Sequence, residues 1–173
     1  GWTGEYDWDG YIPFEDMPHI YNPGGGMIVT ANAEPYSSDY SYPMPGVYAP
    51  DYRTRRIKDL IEAKEKLSLD DMAEIQFDRK SYLAPVFLKH LLPVIPESHQ
   101  DIRSLLEAWD HELDQNGVEG SIYHETMETF LRLIWEDDMG LELAEKYLDT
   151  WYISLNRWVN MLEDNSSPWF DKI

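Results

Sequence analysis

Hydrophobic and polar positions divide the chain into two regions of different periodicity. From about residue 51 onward, apolar side chains recur every three to four positions, the spacing that places them on one face of an α-helix. The sequence therefore predicts a mostly helical region over 51–173, with the apolar faces turned towards a shared core. The apolar stripes lie at 53–66, 69–76, 81–92, 98–113, 121–134, 141–148 and 151–162.

Several helix ends are marked by residues that satisfy terminal backbone groups. Ser68 is followed three positions later by Asp71, the pattern of a capping box. Ser98 has the same relation to Asp101, and Asn116-Gly117 is typical of a helix end. We expect one helix to begin just after Ser68 and another to run from Ser98 to Leu113.

The first 50 residues show a different pattern, because they contain most of the Gly and Pro residues of the chain. That density excludes long helices. The short apolar run Met27–Ala31, bounded by a Gly triplet and by Pro35, is the best candidate for a strand buried on both faces. The sequence thus predicts an α+β arrangement. Short strands and loops over 1–50 precede helices over 51–173, and both are parts of one larger domain.

Composition narrows the classes of partner. The net charge is −19, from 33 acidic and 14 basic residues, so phosphate backbones and anionic lipid surfaces would repel the chain. We therefore expect no nucleic-acid partner and no membrane partner. Cysteine is absent, which excludes disulfides and thiolate chemistry within the chain. Aromatic residues make up 14%, enough for a packed core.

Four motifs occur in an order that resembles the penicillin acylase (penicillin amidase) family of N-terminal-nucleophile hydrolases. They are a Trp-x-Gly-x-x-Pro start, an Asn-Pro turn, a strand that ends in an Asn, and a helix that begins with Arg. The matching segments are Asp7–Pro18, Tyr21–Pro23, Met27–Asn32 and Tyr52–Ile57. The stretch 68–81 is also similar to the family, so the specific resemblance covers roughly residues 2–83.

The resemblance implies both a fold and a chemistry. The complete enzyme would be a four-layered α/β/β/α sandwich, and this chain would resemble an internal segment of its large (β) subunit. Such enzymes hydrolyse a linear amide through the first residue of the large subunit, whose own amine acts as the base. By resemblance, the side-chain amide of Asn32 is a donor of the oxyanion hole, and Arg53 helps to orient the active site.

Two departures from the family pattern qualify the resemblance. Position 33 is Ala where many members carry a second Asn, and the chain starts with Gly1 and not with Ser, Thr or Cys. We therefore expect the nucleophile to lie on another segment of the same precursor, together with the α subunit, and this chain alone to be inactive. The chemistry requires no cofactor. A structural calcium ion is possible by resemblance, but Asp39 is favoured as an ordinary loop residue.

Two functions remain open from the sequence. The first is part of an amide hydrolase acting on penicillin-like or other N-acyl substrates, in the periplasm or secreted by resemblance. The second is an acidic helical interaction module without catalytic activity. A partner segment that begins with Ser, Thr or Cys would distinguish them. The sequence does not choose among acyl specificities, since one fold supports several.

Overall fold

The computed structural model describes residues 2–8, 10–42, 44, 46–149, 158–163 and 167. Six α-helices are defined within these residues, and a further helical stretch covers 158–163. Short 3-10 turns lie at Phe14–Asp16, Leu92–Val94 and Glu97–His99. The helices are α1 Tyr52–Glu62, α2 Leu69–Gln76, α3 Ala84–Leu91, α4 Gln100–Ala108, α5 Val118–Met139 and α6 Leu141–Leu148.

Local sequence signals explain several of these boundaries. Helix α2 begins with the capping box predicted from the sequence. The Ser68 hydroxyl accepts from the Asp71 N–H at 3.2 Å, and the Asp71 carboxylate accepts from the Ser68 N–H at 2.7 Å. Helices α5 and α6 are separated by Gly140 alone, whose φ of 75° is readily adopted by glycine.

The core is formed by α3, α4, α5 and the stretch 158–163. Phe87 is its centre, because its ring meets Tyr123, Phe130 and Trp158 at centroid distances of 5.6–6.0 Å. Trp158 is completely buried, and Leu106 is 1% exposed. Trp135 and Ala144 belong to a second buried cluster between α5 and α6. The apolar stripes of these helices therefore face the core, as their periodicity predicted.

The strand expected at Met27–Ala31 is not formed in this structure. A strand needs a neighbouring strand to accept and donate its backbone hydrogen bonds, and this stretch has none among the described residues. The β-type pairing found in the described part of the chain is an isolated antiparallel bridge between Lys80 and Glu112. The described residues before α1 thus form loops and turns around a single 3-10 turn.

The helix expected from Ser98 to Leu113 is shorter than predicted, because α4 ends at Ala108. The chain then turns through His111, whose φ is 68°, and runs beside residues 79–81. There the Ser81 N–H donates to the His111 carbonyl at 2.9 Å, and the Leu113 N–H donates to the Arg79 carbonyl at 3.1 Å. These tertiary hydrogen bonds replace the next helical turn. In the last predicted stripe, residues 151–157 lie outside the described residues.

Candidate active site

Asn32 and Arg53 are 21 positions apart in the sequence and are joined directly in the structure. The Arg53 Nη2 donates to the Asn32 Oδ1 at 2.8 Å and to the Ala31 carbonyl at 2.9 Å. Arg53 is the second residue of α1, so the helix start fixes where its guanidinium can reach. The two residues that the resemblance singled out therefore form one unit, on the exposed face of this chain.

The backbone at Asn32 is held in an uncommon conformation. Its φ is 61°, in the left-handed region that Asn tolerates better than most residues with a side chain. The Asn32 carbonyl accepts from the Ala49 N–H at 2.7 Å, while Arg53 binds the preceding carbonyl of Ala31. Ala31 and Ala49 are both buried. The turn is thus fixed on both sides, which limits how far the Asn32 side chain can move.

The contact with Arg53 determines what the Asn32 amide can do. A side-chain amide has an acceptor oxygen and a donor nitrogen, and a guanidinium can only donate. Because Arg53 binds the oxygen, the nitrogen Nδ2 is left as the group that can donate to something else. No acceptor for Nδ2 occurs among the residues that the structure describes. The pair therefore presents two N–H bonds whose orientation is set by Arg53.

The charge of Arg53 is unusually placed for a helix start. Arg53, Arg55 and Arg56 all lie near the start of α1, and its first turn contains no acidic residue. The helix dipole, in contrast, favours anions at this end. Arg55 is paired with Asp51 at 3.2 Å, and Arg56 is paired with Asp78 at 2.5 Å. Arg53 contacts neutral oxygens, and no carboxylate pairs with it in the described part of the chain. Its charge is therefore not neutralised by a direct ion pair within these residues.

A cavity of about 580 Å³ adjoins this unit, since Ala33 and Ala49 belong to its lining. Its other walls include Tyr36, Tyr48 and Glu34. The Tyr36 and Tyr48 rings meet edge to face at 6.0 Å, and the Tyr36 hydroxyl donates to the Met44 carbonyl at 2.8 Å. The Glu34 carboxylate beside it raises the pKa of Tyr36 to about 12. Sequence reasoning missed this cavity, because its walls come from separate turns that carry no motif.

Asp39 lies in the loop between Asn32 and α1. The Ser37 hydroxyl donates to its carboxylate, which lowers the pKa of Asp39. Calcium prefers six to eight oxygen ligands. The described residues contain no group of three or more His, Asp or Glu side chains placed to share a metal ion. Asp39 therefore belongs to no such group, and a structural calcium ion stays a prediction.

A side-chain amide donor on a fixed turn, beside a cation without a direct ion pair, is chemically able to bind an oxyanion. In the comparison with known proteins, the family model described as penicillin amidase matches residues 1–173. The chain belongs to the penicillin amidase family.

Relatives with different substrates are similar to this chain. Penicillin acylase 2 proenzyme of Pseudomonas sp. (strain SE83) is 32% identical over 152 residues, which cover 83% of this chain and 19% of that protein. Acyl-homoserine lactone acylase QuiP of Pseudomonas fluorescens (strain Pf0-1) is 26% identical over 156 residues, covering 81% of this chain and 19% of that protein. Penicillin G acylase of Escherichia coli is 33% identical over 95 residues, or 51% of this chain and 11% of that protein.

The relatives are much longer than this chain. The chain spans about a fifth of the length of the first two curated relatives. Both relatives are named as acylases. Within the described residues, no helix is both long and apolar enough to cross a lipid bilayer.

Proposed function

We propose that this chain supplies the oxyanion-binding element of an N-terminal-nucleophile amide hydrolase, with Asn32 as the donor and Arg53 as the residue that orients it. The observation that carries the proposal is the 2.8 Å hydrogen bond from Arg53 to the Asn32 Oδ1. That bond leaves the Asn32 Nδ2 as a donor with a set direction. The relatives named as acylases supply the class of reaction.

The proposed chemistry begins on another segment of the same precursor. There an N-terminal Ser, Thr or Cys attacks the amide carbonyl, and its own α-amine, with an ordinary pKa of about 8, takes the proton. The carbonyl oxygen becomes an oxyanion in the tetrahedral intermediate. The Asn32 Nδ2 donates a hydrogen bond to that oxygen, and the positive field of Arg53 adds to its stabilisation. The C–N bond then breaks, the amine leaves with a proton, and water releases the acyl group from the nucleophile.

The surface of the chain supports an assembly. The accessible surface is 13,269 Å², whereas a compact monomer of 20.3 kDa exposes roughly 8,800 Å². The excess is larger than both sides of a stable protein–protein interface, about 1,600 Å². We propose that the remaining segments of the precursor, the α subunit and the nucleophile-bearing part of the β subunit, cover this surface.

The N-terminal region carries most of the aromatic part of that surface. Five large aromatic side chains there are at least 90% exposed: Trp2, Trp8, Tyr11, Phe14 and Tyr21. Exposed apolar groups of this size mark contact surfaces, since burying each would contribute about 1.5–3 kcal/mol. Lys and Arg are absent from residues 1–52, so we expect the covering surface to be apolar with a basic rim. In the proposed sandwich, Met27–Ala31 would gain the neighbouring strand that it lacks here.

The proposed substrates are amides that join an acyl group to an amine, as in penicillins and acyl-homoserine lactones. Both classes appear in the names of the relatives, and Asn32 would bind the same carbonyl oxygen in each. No cofactor is required for this chemistry, and the proposed compartment is the periplasm or the medium. The acyl specificity would depend on the segments that bring the nucleophile.

The test is the turnover of a chromogenic acyl amide by the complete enzyme. Asn32→Ala should lower kcat roughly a hundredfold or more, because it removes one preorganised oxyanion donor. Asn22→Ala is the matched control, since Asn22 is also an exposed Asn with a positive φ, 47°. It should lose some stability but keep kcat. Equal losses of kcat in the two variants would overturn the role of Asn32.

The interaction-module alternative is favoured by the same exposed aromatic residues, and it makes a different prediction. A non-catalytic module requires no partner that begins with a nucleophile. Intact-mass analysis of the purified assembly should find a segment whose first residue is Ser, Thr or Cys. An assembly that contains other proteins but no such segment would favour the interaction module.

A further inference from the structure

Helix α1, which carries Arg53, is not anchored by the hydrophobic core. It has no buried residue, whereas α3 and α5 bury Phe87, Leu88 and Trp135, among others. Its apolar residues Ile57, Leu60 and Ile61 are only partly buried, so polar contacts also contribute to its position. Those contacts decide where the Arg53 guanidinium lies, because a helix moves as a rigid unit.

The strongest of these contacts joins Arg56 to Asp78. The Arg56 Nε donates to the Asp78 Oδ1 at 2.9 Å, and the Nη2 donates to the Oδ2 at 2.5 Å. The two side chains are only 22% and 18% exposed. A two-point guanidinium–carboxylate pair fixes orientation as well as distance. The pair therefore holds α1 against the segment that follows α2.

Tyr82 reinforces the same junction. The Arg56 guanidinium lies 5.6 Å from the centre of its ring, and its hydroxyl donates to the Asp59 Oδ2 at 2.6 Å. Arg56 and Asp59 are one turn apart on α1, so the helix is held at two successive turns. Arg53 lies one turn before Arg56. The chain of contacts thus runs from Asp78 through Arg56 to Arg53 and Asn32.

We infer that Arg56 and Asp78 are positioning residues for the oxyanion element: their ion pair sets the start of α1 so that Arg53 meets the Asn32 amide oxygen. Asp78 also balances the charge of Arg56, which would otherwise repel Arg53 across one helical turn. The inference rests on the proposed function for its catalytic consequence. Its structural consequence is measurable without substrate.

The first test observes the Asn32 side-chain amide directly. In NMR spectra of the complete enzyme with ¹⁵N-labelled asparagine, Arg53→Gln defines the resonance of an Asn32 amide that has lost its partner. Arg56→Gln should move the resonance in the same direction. Arg55→Gln is the matched control, because it removes a neighbouring guanidinium whose ion pair with Asp51 is more than half exposed. It should leave the resonance in place.

The second test measures coupling in the complete enzyme. Arg56→Gln should lower kcat by roughly tenfold to a hundredfold, as expected for a misplaced donor, with little change in KM. In an Asn32→Ala background, the same substitution should cost less than about twofold, since the donor that it positions is gone. A purely structural role would lower the rate equally in both backgrounds.

Asp78→Asn protects the test against simple unfolding. It preserves the shape of the partner, removes its charge, and should displace the Asn32 resonance as Arg56→Gln does while the helical circular dichroism is retained. An unmoved resonance in both variants, or equal kinetic losses in both backgrounds, would overturn the inference. A complete enzyme that hydrolyses no N-acyl amide would instead overturn the proposed function, and the NMR comparison would still decide the positioning role.

Discussion

The regions before and after residue 51 differ in what holds them in place. In the first, Trp8 and Tyr11 are 94% and 99% exposed, and the described backbone forms turns without a strand. In the second, Phe87 is 3% exposed and Trp158 is completely buried. Both regions are rich in apolar residues, but among the described residues only the second fully buries large apolar side chains, whereas the first buries Ala31 and Ala49. The difference indicates that the second region supplies its own core, and it supports the proposal that other segments of the precursor cover the first.

Helix α1 lies at the boundary and shares features of both regions. None of its residues is fully buried, although Ile57, Leu60 and Ile61 are partly buried, and its two-point ion pair with Asp78 fixes it to the second region. The proposed active-site unit joins the regions at this point, because Asn32 comes from the first and Arg53 from α1. The proposed function is thus assigned to the contact between the first region and helix α1.

The largest expected effect on stability comes from the core. Phe87→Ala should lower the free energy of unfolding of the chain by about 3–5 kcal/mol, because it removes the ring that Tyr123, Phe130 and Trp158 pack against. Urea unfolding followed by circular dichroism measures the change. A loss below about 1 kcal/mol would show that the second region lacks a self-supporting core.

A smaller effect is expected at the junction of α1. Asp78→Asn should lower the free energy of unfolding by about 1–3 kcal/mol at pH 7, between the values for exposed and buried ion pairs. Arg56 lowers the pKa of Asp78, so the folded chain keeps this carboxylate charged to a lower pH than the unfolded chain does. The contribution of the pair is therefore complete above the ordinary aspartate pKa of about 3.9 and is lost as the pH falls through the lower folded-state value.

Unfolding curves of the parent chain and of the Asp78→Asn variant, measured at several pH values, check this prediction. The two curves should differ most near neutral pH and converge as the solution is acidified. A difference that stays constant down to acidic pH would show that Asp78 acts through its shape and not through its charge. Lys58→Gln is a suitable control, because its ion pair with Glu62 is exposed and 3.7 Å long.

The capping box of α2 should contribute less. Ser68→Ala removes the hydroxyl that accepts from the Asp71 N–H and should cost about 1 kcal/mol. Ser68→Asn should recover most of this loss, since Asn is also a good N-cap residue. Thermal unfolding of the three proteins tests the order, and a Ser68→Ala protein as stable as the parent would contradict it.

The smallest effect on the isolated chain is expected in the first region. Trp8→Ala should change the free energy of unfolding by less than about 0.5 kcal/mol, because the ring is 94% exposed and contributes little to the packing of the described residues. The same substitution should weaken binding to the remaining segments of the precursor, measured by titration calorimetry. A large loss of stability without any change in binding would reverse the comparison between the regions.

The sequence predicted the helical region well, because helix periodicity and caps are local signals. Helix α6 occurs as expected, and Ser68 caps α2 as expected. The prediction from the sequence was wrong where long-range contacts determine the backbone. The Leu113 N–H donates to the Arg79 carbonyl, and Leu113 does not extend α4. The strand predicted at Met27–Ala31 is absent for a related reason, since a strand requires a neighbouring strand and none occurs among the residues that the structure describes.

The candidate site could be predicted only in part. The resemblance singled out Asn32 and Arg53, but not the hydrogen bond between them, which depends on how the chain returns after 21 residues. The sequence did not indicate a role for Ala49, because Ala49 acts through its backbone N–H. Arg56 and Asp78 were visible as motif residues, but their pairing is a tertiary contact that no spacing rule specifies.

Asn32→Asp in the complete enzyme is the most direct test of Asn32 as a donor to the oxyanion. This substitution keeps an oxygen that can accept from Arg53, replaces the donor nitrogen with a second oxygen, and adds a negative charge. The prediction is a fold that is retained or stabilised, with kcat lowered by roughly a hundredfold or more on a chromogenic acyl amide. Turnover within about threefold of the parent would contradict the account, because Asn32 would then serve only as a partner for Arg53 and not as a donor to the oxyanion.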